Sequence, residues 1–443
     1  MDARRVVSLT HVCRYWRGSI ISDPTNWSVI SYYSEGLTAL SLERAREAPL
    51  EVCLDYFEVG TGGTASCHLL TPHLRNIVTL VIYSTTIDKL RDTIPDFPRS
   101  TPNLRSLSLE SYGSVQWDRS IDPFESLAPT LKCLELRNIP PYPSIFHLKS
   151  LTEFTYSNFG SDDNVHLDTV LDFLEGNRSL SRMTLRFERW GAPLRSSRRR
   201  AAVENQLQHL SLDCGNLGEV QPLISRIALR RGAHLHIYYG TGIGLEEMLS
   251  DASTTQHPNL RSPTFMELRP HEGKILLTGP NGSFSFQTSS TIVNPRGCPL
   301  FQFGHSIPLG HIRKFHFVYR RRSPDRPIPD PAVFDQTYFP ALETLALDCE
   351  ISVSYLLPSF FSNPSSPPPL KTLAFLDCSL DEDFMGKLAR YASNRKGTTS
   401  AWLHQVVIIN SDGIFPSMTS IRGLMKHVPV VEVKVGTKFP EIL

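Results

Sequence analysis

Two patterns in this 443-residue chain have a spacing that could support chemistry. In "AHLHIYY", His234 and His236 stand two apart, so on a strand both imidazoles project to one face and offer two of the three or four donors a zinc site needs. The neighbouring sequence suggests no third ligand. In "YYGTGIGLEEML", Gly240, Gly242 and Gly244 lie between a strand-like and a helix-like stretch, where backbone amides can cradle a phosphate. The spacing is not G-x-G-x-x-G and no Walker lysine follows, so a plain glycine turn accounts for it. Nucleophilic catalysis has no local signature: there is no G-x-S-x-G elbow, no H-E-x-x-H, and no motif around any of the eight cysteines. These residues point to a chain without metal, cofactor or catalytic centre, with a hydrolase in the irregular middle as the competing class.

Recognition chemistry is better represented. Near the N-terminus, "LTHVCRYWRGSIISDPTNW" places Val6, Leu9, Cys13 and Trp16 at helical spacing with Val12 beside them. The pattern predicts one helix from Val6 to Trp16, stopped at Gly18. Asp23 followed by Pro24 predicts a second short helix carrying Trp27 back toward the first. Leu9, Val12, Trp16 and Arg17 are the candidate contact residues of this segment, with cover for the first strand as their structural alternative. Further along, residues flanking the last apolar position of each predicted strand form a mixed-charge row: Glu110, Glu135, Arg137, Arg182, Arg186, His209, Asp213 and Asp348. Arg137 and Arg186 stand out because arginine is enriched among interface anchors.

The elements that must position that row are read from a repeat. After a helix ended by Pro49, with Leu37, Leu40, Ala45 and Ala48 on one face, Leu50, Val52 and Leu54 alternate with polar residues as a strand. The pattern apolar-x-x-apolar-x-apolar then recurs from Ile77, Leu104, Leu131, Leu151, Leu180 and Leu207, at steps of 27, 27, 20, 29 and 27 residues. It returns from Leu342, Leu370 and Leu403. One short strand cannot bury its apolar side alone, so units of this period stack as parallel strands with outer returns. About ten strands at ~4.8 Å make a face on the order of 50 Å long. In the last return, "SLDEDFMGKLARYA" puts Ser379 and Glu382 in capping-box relation ahead of a helix. The stretch 217–340 is less regular, and "KILLTGPNGSFSFQT" within it predicts an antiparallel hairpin about Pro280-Asn281-Gly282.

Composition narrows the partners. A net charge of +1 supplies no field for nucleic acid or anionic membrane. Arg198–Arg200 and Arg320–Arg322 lack interleaved aromatics and read as loop charge, and the turn-rich "SNPSSPPP" from Ser362 reads as a loop. No apolar run reaches the roughly 20 residues of a membrane span. With no C-x-x-C pair and no secretory signal, the cysteines read as reduced thiols of a cytoplasmic or nuclear protein.

"VSLTHVCRYWRGSIISDPTNWSVI" resembles the second half of an F-box as found in mushroom-type fungal F-box proteins, where a V-C-R-x-W-R helix precedes a P-x-x-W turn. "LSLERAREAPLEVCLDY" and the stretch from "LETLALDCE" to "VVIINSDG" are similar to the segments that follow the F-box and close those proteins. The resemblance implies an F-box remnant at 1–30 and an irregular leucine-rich-repeat-like solenoid at 31–443. This is an α/β fold: a curved parallel sheet with helices or loops on its outer side, capped by short helices. It implies docking on a Skp-type adaptor of a cullin-RING ubiquitin ligase through Leu9, Val12, Trp16 and Arg17, with a target protein held on the repeat face. Met1 to Arg5 leaves no space for the family's leading leucine-proline helix, so the F-box is expected to be truncated. A free-standing repeat module that does not engage a ligase is the alternative. The repeats also depart from the family: of Asn138, Cys214, Cys349, Cys378 and Asn410, only Cys378 stands three residues after the last strand apolar residue.

Overall fold

The computed structural model describes residues 3–31, 34–55, 67–84, 101–111, 130–139, 144–145, 148–158, 167–187, 203–204, 206–215, 223–224, 226–239, 262–288, 309–320, 334, 339–357, 369–395 and 403–436. The glycines at 240, 242 and 244, Arg198–Arg200, Arg321–Arg322 and Ser362–Pro368 lie outside the described residues. The chain divides into two compact units, Met1–Leu207 and Gln208–Leu443. Each is α/β and built on a mostly parallel sheet.

The first unit begins with α1 (Ala3–Thr10) and α2 (Arg14–Ser22), a 3-10 turn at Pro24–Trp27, β1 (Val29–Ser31) and α3 (Glu35–Ala45). The single helix expected from Val6 to Trp16 is two helices. The chain breaks at His11–Cys13 because Cys13 is extended and its Sγ accepts the Trp16 amide as the cap of a new helix. Gly18 lies inside α2 and does not end it. The Asp23-Pro24 expectation holds: Asp23 Oδ1 accepts from the Thr25 amide at 2.9 Å, and Trp27 is buried. Trp27 Nε1 donates to the Ile20 carbonyl at 3.0 Å, and the Arg44 guanidinium lies 4.5 Å over the indole. In α3 the buried side chains are Thr38, Ser41, Leu42 and Ala45, so the packed face is rotated from the expected Leu37–Leu40 stripe.

Six further strands follow in this sheet: β2 (Leu50–Asp55), β3 (Ile77–Ser84), β4 (Ser106–Ser111), β5 (Cys133–Arg137), β6 (Glu153–Asn158) and β7 (Arg182–Phe187). Each pairs in parallel with the next in chain order, as the repeat predicts. Register places Leu80, Leu107, Leu134, Phe154 and Met183 in one row, and Ile82, Leu109, Leu136, Tyr156 and Leu185 in the next. Both rows are buried, as are the leading residues Ile77, Leu104, Leu131, Leu151 and Leu180. The same bond joins successive repeats just ahead of the strands: the Lys132, Thr152 and Ser181 amides each donate to the previous repeat at 2.7–2.8 Å. Hydroxyls reinforce it, with Thr130 donating to the Leu104 carbonyl, Ser150 to Leu131 and Ser179 to Leu151. α4 (Cys67–Leu70), α5 (Leu167–Gly176) and β8 (Val203–Glu204) complete the unit. Phe173 of α5 packs on Phe154, covering the apolar face there.

The second unit contains β9 (His209–Cys214), β10 (Ile227–Ala228), β11 (His234–Tyr239), β12 (Phe265–Arg269), β13 (Lys274–Gly279), β14 (Gly282–Thr288), β15 (Lys314–Tyr319), β16 (Thr344–Cys349), β17 (Thr372–Leu376), β18 (Gln405–Asn410) and β19 (Val430–Val435). The hairpin about Pro280–Gly282 is present and belongs to a meander. Spatial order runs β9, β11, β14, β13, β12, β15 through β19, and β13 is antiparallel to both its neighbours. Gly282 is required at the turn: its φ is +117°, and a Cβ there would collide with the Ala233 carbonyl oxygen. The apolar rows run through the meander, joining Leu235, Phe284, Leu277, Met266, Phe315, Leu345, Leu373 and Val406.

Three helices accompany the last strands: α6 (Val353–Leu356), α7 (Glu382–Arg395) and α8 (Met418–Met425). The expected Ser379–Glu382 capping box is not the cap of α7. Asp381 Oδ1 accepts the Phe384 amide at 2.7 Å, while Ser379 bridges to Ser352. Asp381 is the residue immediately before the helix, the position from which a carboxylate reaches the third amide.

Candidate functional site

Two surfaces of the first unit carry the sequence-derived candidates. At the N-terminus, α2 has no buried residue. Tyr15 is 80% exposed, Val12 62% and Trp16 47%, with Ile21 exposed beside them. Leu9 is half-buried on α1. Arg17 is engaged internally: its Nε donates to the Thr10 carbonyl at 2.9 Å and ties α2 to the end of α1. The helix pair is therefore anchored by Val6, Thr10 and Trp27 and turns its largest apolar side chains to solvent. Tyr15 and Ile21 escaped the sequence reading because the one-helix register left them off its stripe.

The second surface is the polar side of the parallel sheet. Register places Tyr83, Glu110, Arg137, Ser157 and Arg186 side by side in one row. Glu135 lies in the adjacent row with Val81, Ser108 and Thr155, and Arg182 in the next with Cys133 and Glu153. Arg137 bridges rows, meeting Glu135 at 2.7 Å and Glu110 at 3.4 Å. The hydrogen bond to Glu135 raises the Arg137 pKa against a desolvation that lowers it. Burial, then the charges of Cys53 and Glu110, raise the Tyr83 phenol. Arg182 stands 3.8 Å from Glu153, both well exposed. Arg186 is exposed and meets no carboxylate among the described residues, whereas the Ser157 hydroxyl between the two arginines is buried and unbonded. The row therefore pairs a neutralised arginine with a free one, a pattern suited to a polar protein surface bearing carboxylates.

His209 and Asp213 belong to the second unit. His209 stacks on His234 at 4.7 Å, and His234 Nδ1 lies 2.5 Å from Ser283 Oγ. Asp213 is in register with Tyr238 on the same strand pair. Among the described residues no three His, Cys, Asp or Glu side chains converge as a metal site. Asp348 is not on an open face. It is buried beside Ala346, and Arg320 holds it through two bonds at 3.1 and 3.2 Å, so Arg320 is an ion-pair partner and not loop charge.

No family model and no curated protein sequence matches the chain.

A polar group missed by sequence lies on β12 and β15. Glu267 accepts from Arg269 Nε at 2.7 Å and contacts His316 Nδ1 at 3.3 Å. The hydrogen bond to His316 and then that to Arg269 outweigh desolvation and hold the Glu267 carboxyl down to about 2. Its signal was the alternation of "FMELR", where Glu267 and Arg269 flank the buried Leu268. The buried thiols of Cys349 and Cys378 lie 3.4 Å apart, and burial pushes that of Cys378 well above the usual range. That places Cys378 among inert structural thiols. Among the described residues no helix is long and apolar enough to cross a membrane.

Proposed function

We propose that the chain is a non-enzymatic protein-binding subunit, the substrate receptor of a Skp/cullin/F-box ubiquitin ligase. The observation that carries this reading is α2: it contributes no buried residue, and Tyr15, Trp16 and Ile21 along it are exposed, as is Val12 just before it. A helix that buries nothing and exposes two aromatic side chains is the kind of element that a protein partner covers. Two further observations support a leucine-rich-repeat-like solenoid as the body. From β1 to β7 and from β15 to β19 parallel strands stack in chain order, and the apolar-x-x-apolar-x-apolar positions there are the buried ones. In this reading the short helices cap the repeats and meet a Skp-type adaptor, while the row from Glu110 to Arg186 meets the target. The receptor supplies proximity: it holds a target near a ubiquitin-charged enzyme of the complex and needs no catalytic residue of its own.

Retention on an immobilised Skp-type adaptor tests the proposal, with the 443-residue chain alone and with a leucine-proline helix fused ahead of Met1. At least one form is expected to be retained, and Trp16→Ala to lower retention tenfold or more while the melting temperature stays within ~2 °C, as for an exposed side chain. Loss of both forms from the adaptor would end the ligase reading and leave the free-standing interaction module.

A further inference from the structure

The last strand of the second unit carries a self-complementary edge. Among the described residues β19 pairs with β18 alone. The Val430 amide donates to the His404 carbonyl at 3.1 Å and the Gly436 amide to the Asn410 carbonyl at 3.4 Å. In a strand the N–H and C=O of one residue point to one side, and the sides alternate along the chain. Val430, Glu432, Lys434 and Gly436 therefore turn their backbone groups to β18. Val431, Val433 and Val435 present theirs at the edge, a ready template for another strand.

The side chains add a second requirement. Val431 and Val433 continue the apolar rows of Val406 and Ile408, and Val435 is 70% exposed. Met418 and Met425, seven apart on one stripe of α8, are exposed, as is Ile414 before them. α8 packs on β19, so this apolar surface lies beside the strand. On the opposite face stand Glu432 and Lys434, ion-paired with each other, with Gln405 donating to Glu432 at 2.9 Å.

We propose that a second copy of this chain docks on β19 by antiparallel strand pairing about a two-fold axis at Val433. Edge-facing residues must oppose edge-facing residues, which places the axis at a residue and not between two. With the axis at Glu432 or at Lys434, like charges sit directly opposite, and such pairs repel. With the axis at Val433, Glu432 of each copy opposes Lys434 of the other in the close, non-hydrogen-bonded positions. Val431, Val433 and Val435 then exchange backbone bonds with Val435, Val433 and Val431 of the second copy. The contact is isologous and closes as a dimer. It does not rest on the ligase reading.

Sedimentation velocity on the full chain over a concentration series tests this. The native chain is expected to dimerise, and Glu432→Lys and Lys434→Glu are each expected to raise the dissociation constant at least tenfold. An equimolar mixture of these two variants regains a dimer, because one chain then carries two cations and the other two anions at the contact. The double substitution in one chain likewise restores self-association. Val435→Asp, at an exposed side chain, abolishes the dimer with an unchanged melting temperature and supplies the test should a charge variant misfold. A native chain that stays monomeric throughout the series overturns the proposal. So does a dimer that the single swaps leave intact, or a mixture that does not recover.

Discussion

Glu267 shows how one carboxylate on the polar side of a sheet couples stability to acid. Its side chain is mostly buried against His316 and Arg269, and their hydrogen bonds keep it ionised down to about 2 against an ordinary value of 4.5. The folded pKa lies below the unfolded one, so the contribution to stability is complete above the unfolded value. It fades as pH falls from about 4.5 toward about 2. Chemical unfolding at a series of pH values is expected to show the native chain losing stability across that window. Glu267→Gln is expected to be less stable at neutral pH and to lose less on acidification, so that the two curves converge toward pH 2. Parallel curves would show that Glu267 does not carry the acid dependence.

At the scale of the element, the cap of α7 is the informative case. Asp381 receives the Phe384 amide on one oxygen and the Ser354 hydroxyl, at 2.6 Å, on the other, so it joins α7 to the start of α6. The Ser354 hydrogen bond and then the Phe384 amide lower its pKa. Asp381→Ala is expected to cost about 1–2 kcal/mol in urea unfolding, within the usual loss for an N-cap. Asp381→Asn, which keeps the acceptor, should lose less than half of that. Equal losses in the two variants would assign the effect to charge. This cap also marks what sequence could and could not provide. Outside 217–340, strand existence, chain order and the buried leucines were legible because apolar-x-x-apolar-x-apolar demands one covered face; within it only the hairpin about Pro280–Gly282 was, and the order of the meander was not. Helix starts were less so: Ser379 and Asp381 compete as the cap of α7, Cys13 starts a second helix inside one apolar stripe, and only the three-dimensional path decides each case. The hydroxyl before each leading leucine, in Thr130-Leu131, Ser150-Leu151 and Ser179-Leu180, was a readable repeat signal whose meaning needed the neighbouring carbonyl.

Across the whole molecule, the second faces of the two units' sheets do not share one character, and the sequence held the reason. In β4 and β5 the residues between buried leucines are Ser106, Ser108, Glu110, Cys133, Glu135 and Arg137, all half-buried. In β16–β18 the corresponding positions are Ala346, Ala374, Leu376, Val407 and Ile409, which form a buried apolar cluster. Strands buried on both faces read as near-continuous apolar runs, as "TLAFL" and "QVVIIN" do. A single pattern applied to every repeat therefore assigned Asp348 to an open face that β16 does not have. Native-state hydrogen exchange checks the consequence. Amides of β16–β18, desolvated on both sides, are expected to open only at free energies near the global value, about 5–15 kcal/mol. Those of β4 and β5 are expected to exchange through smaller openings, and those of α2, which buries nothing, near the unprotected rate. In the proposed reading, a target is therefore expected to lie across β3–β7, where the charged row is half-buried to exposed, and not across β16–β18. Uniform protection from β4 through β18 would contradict that division. So would fast exchange in β16.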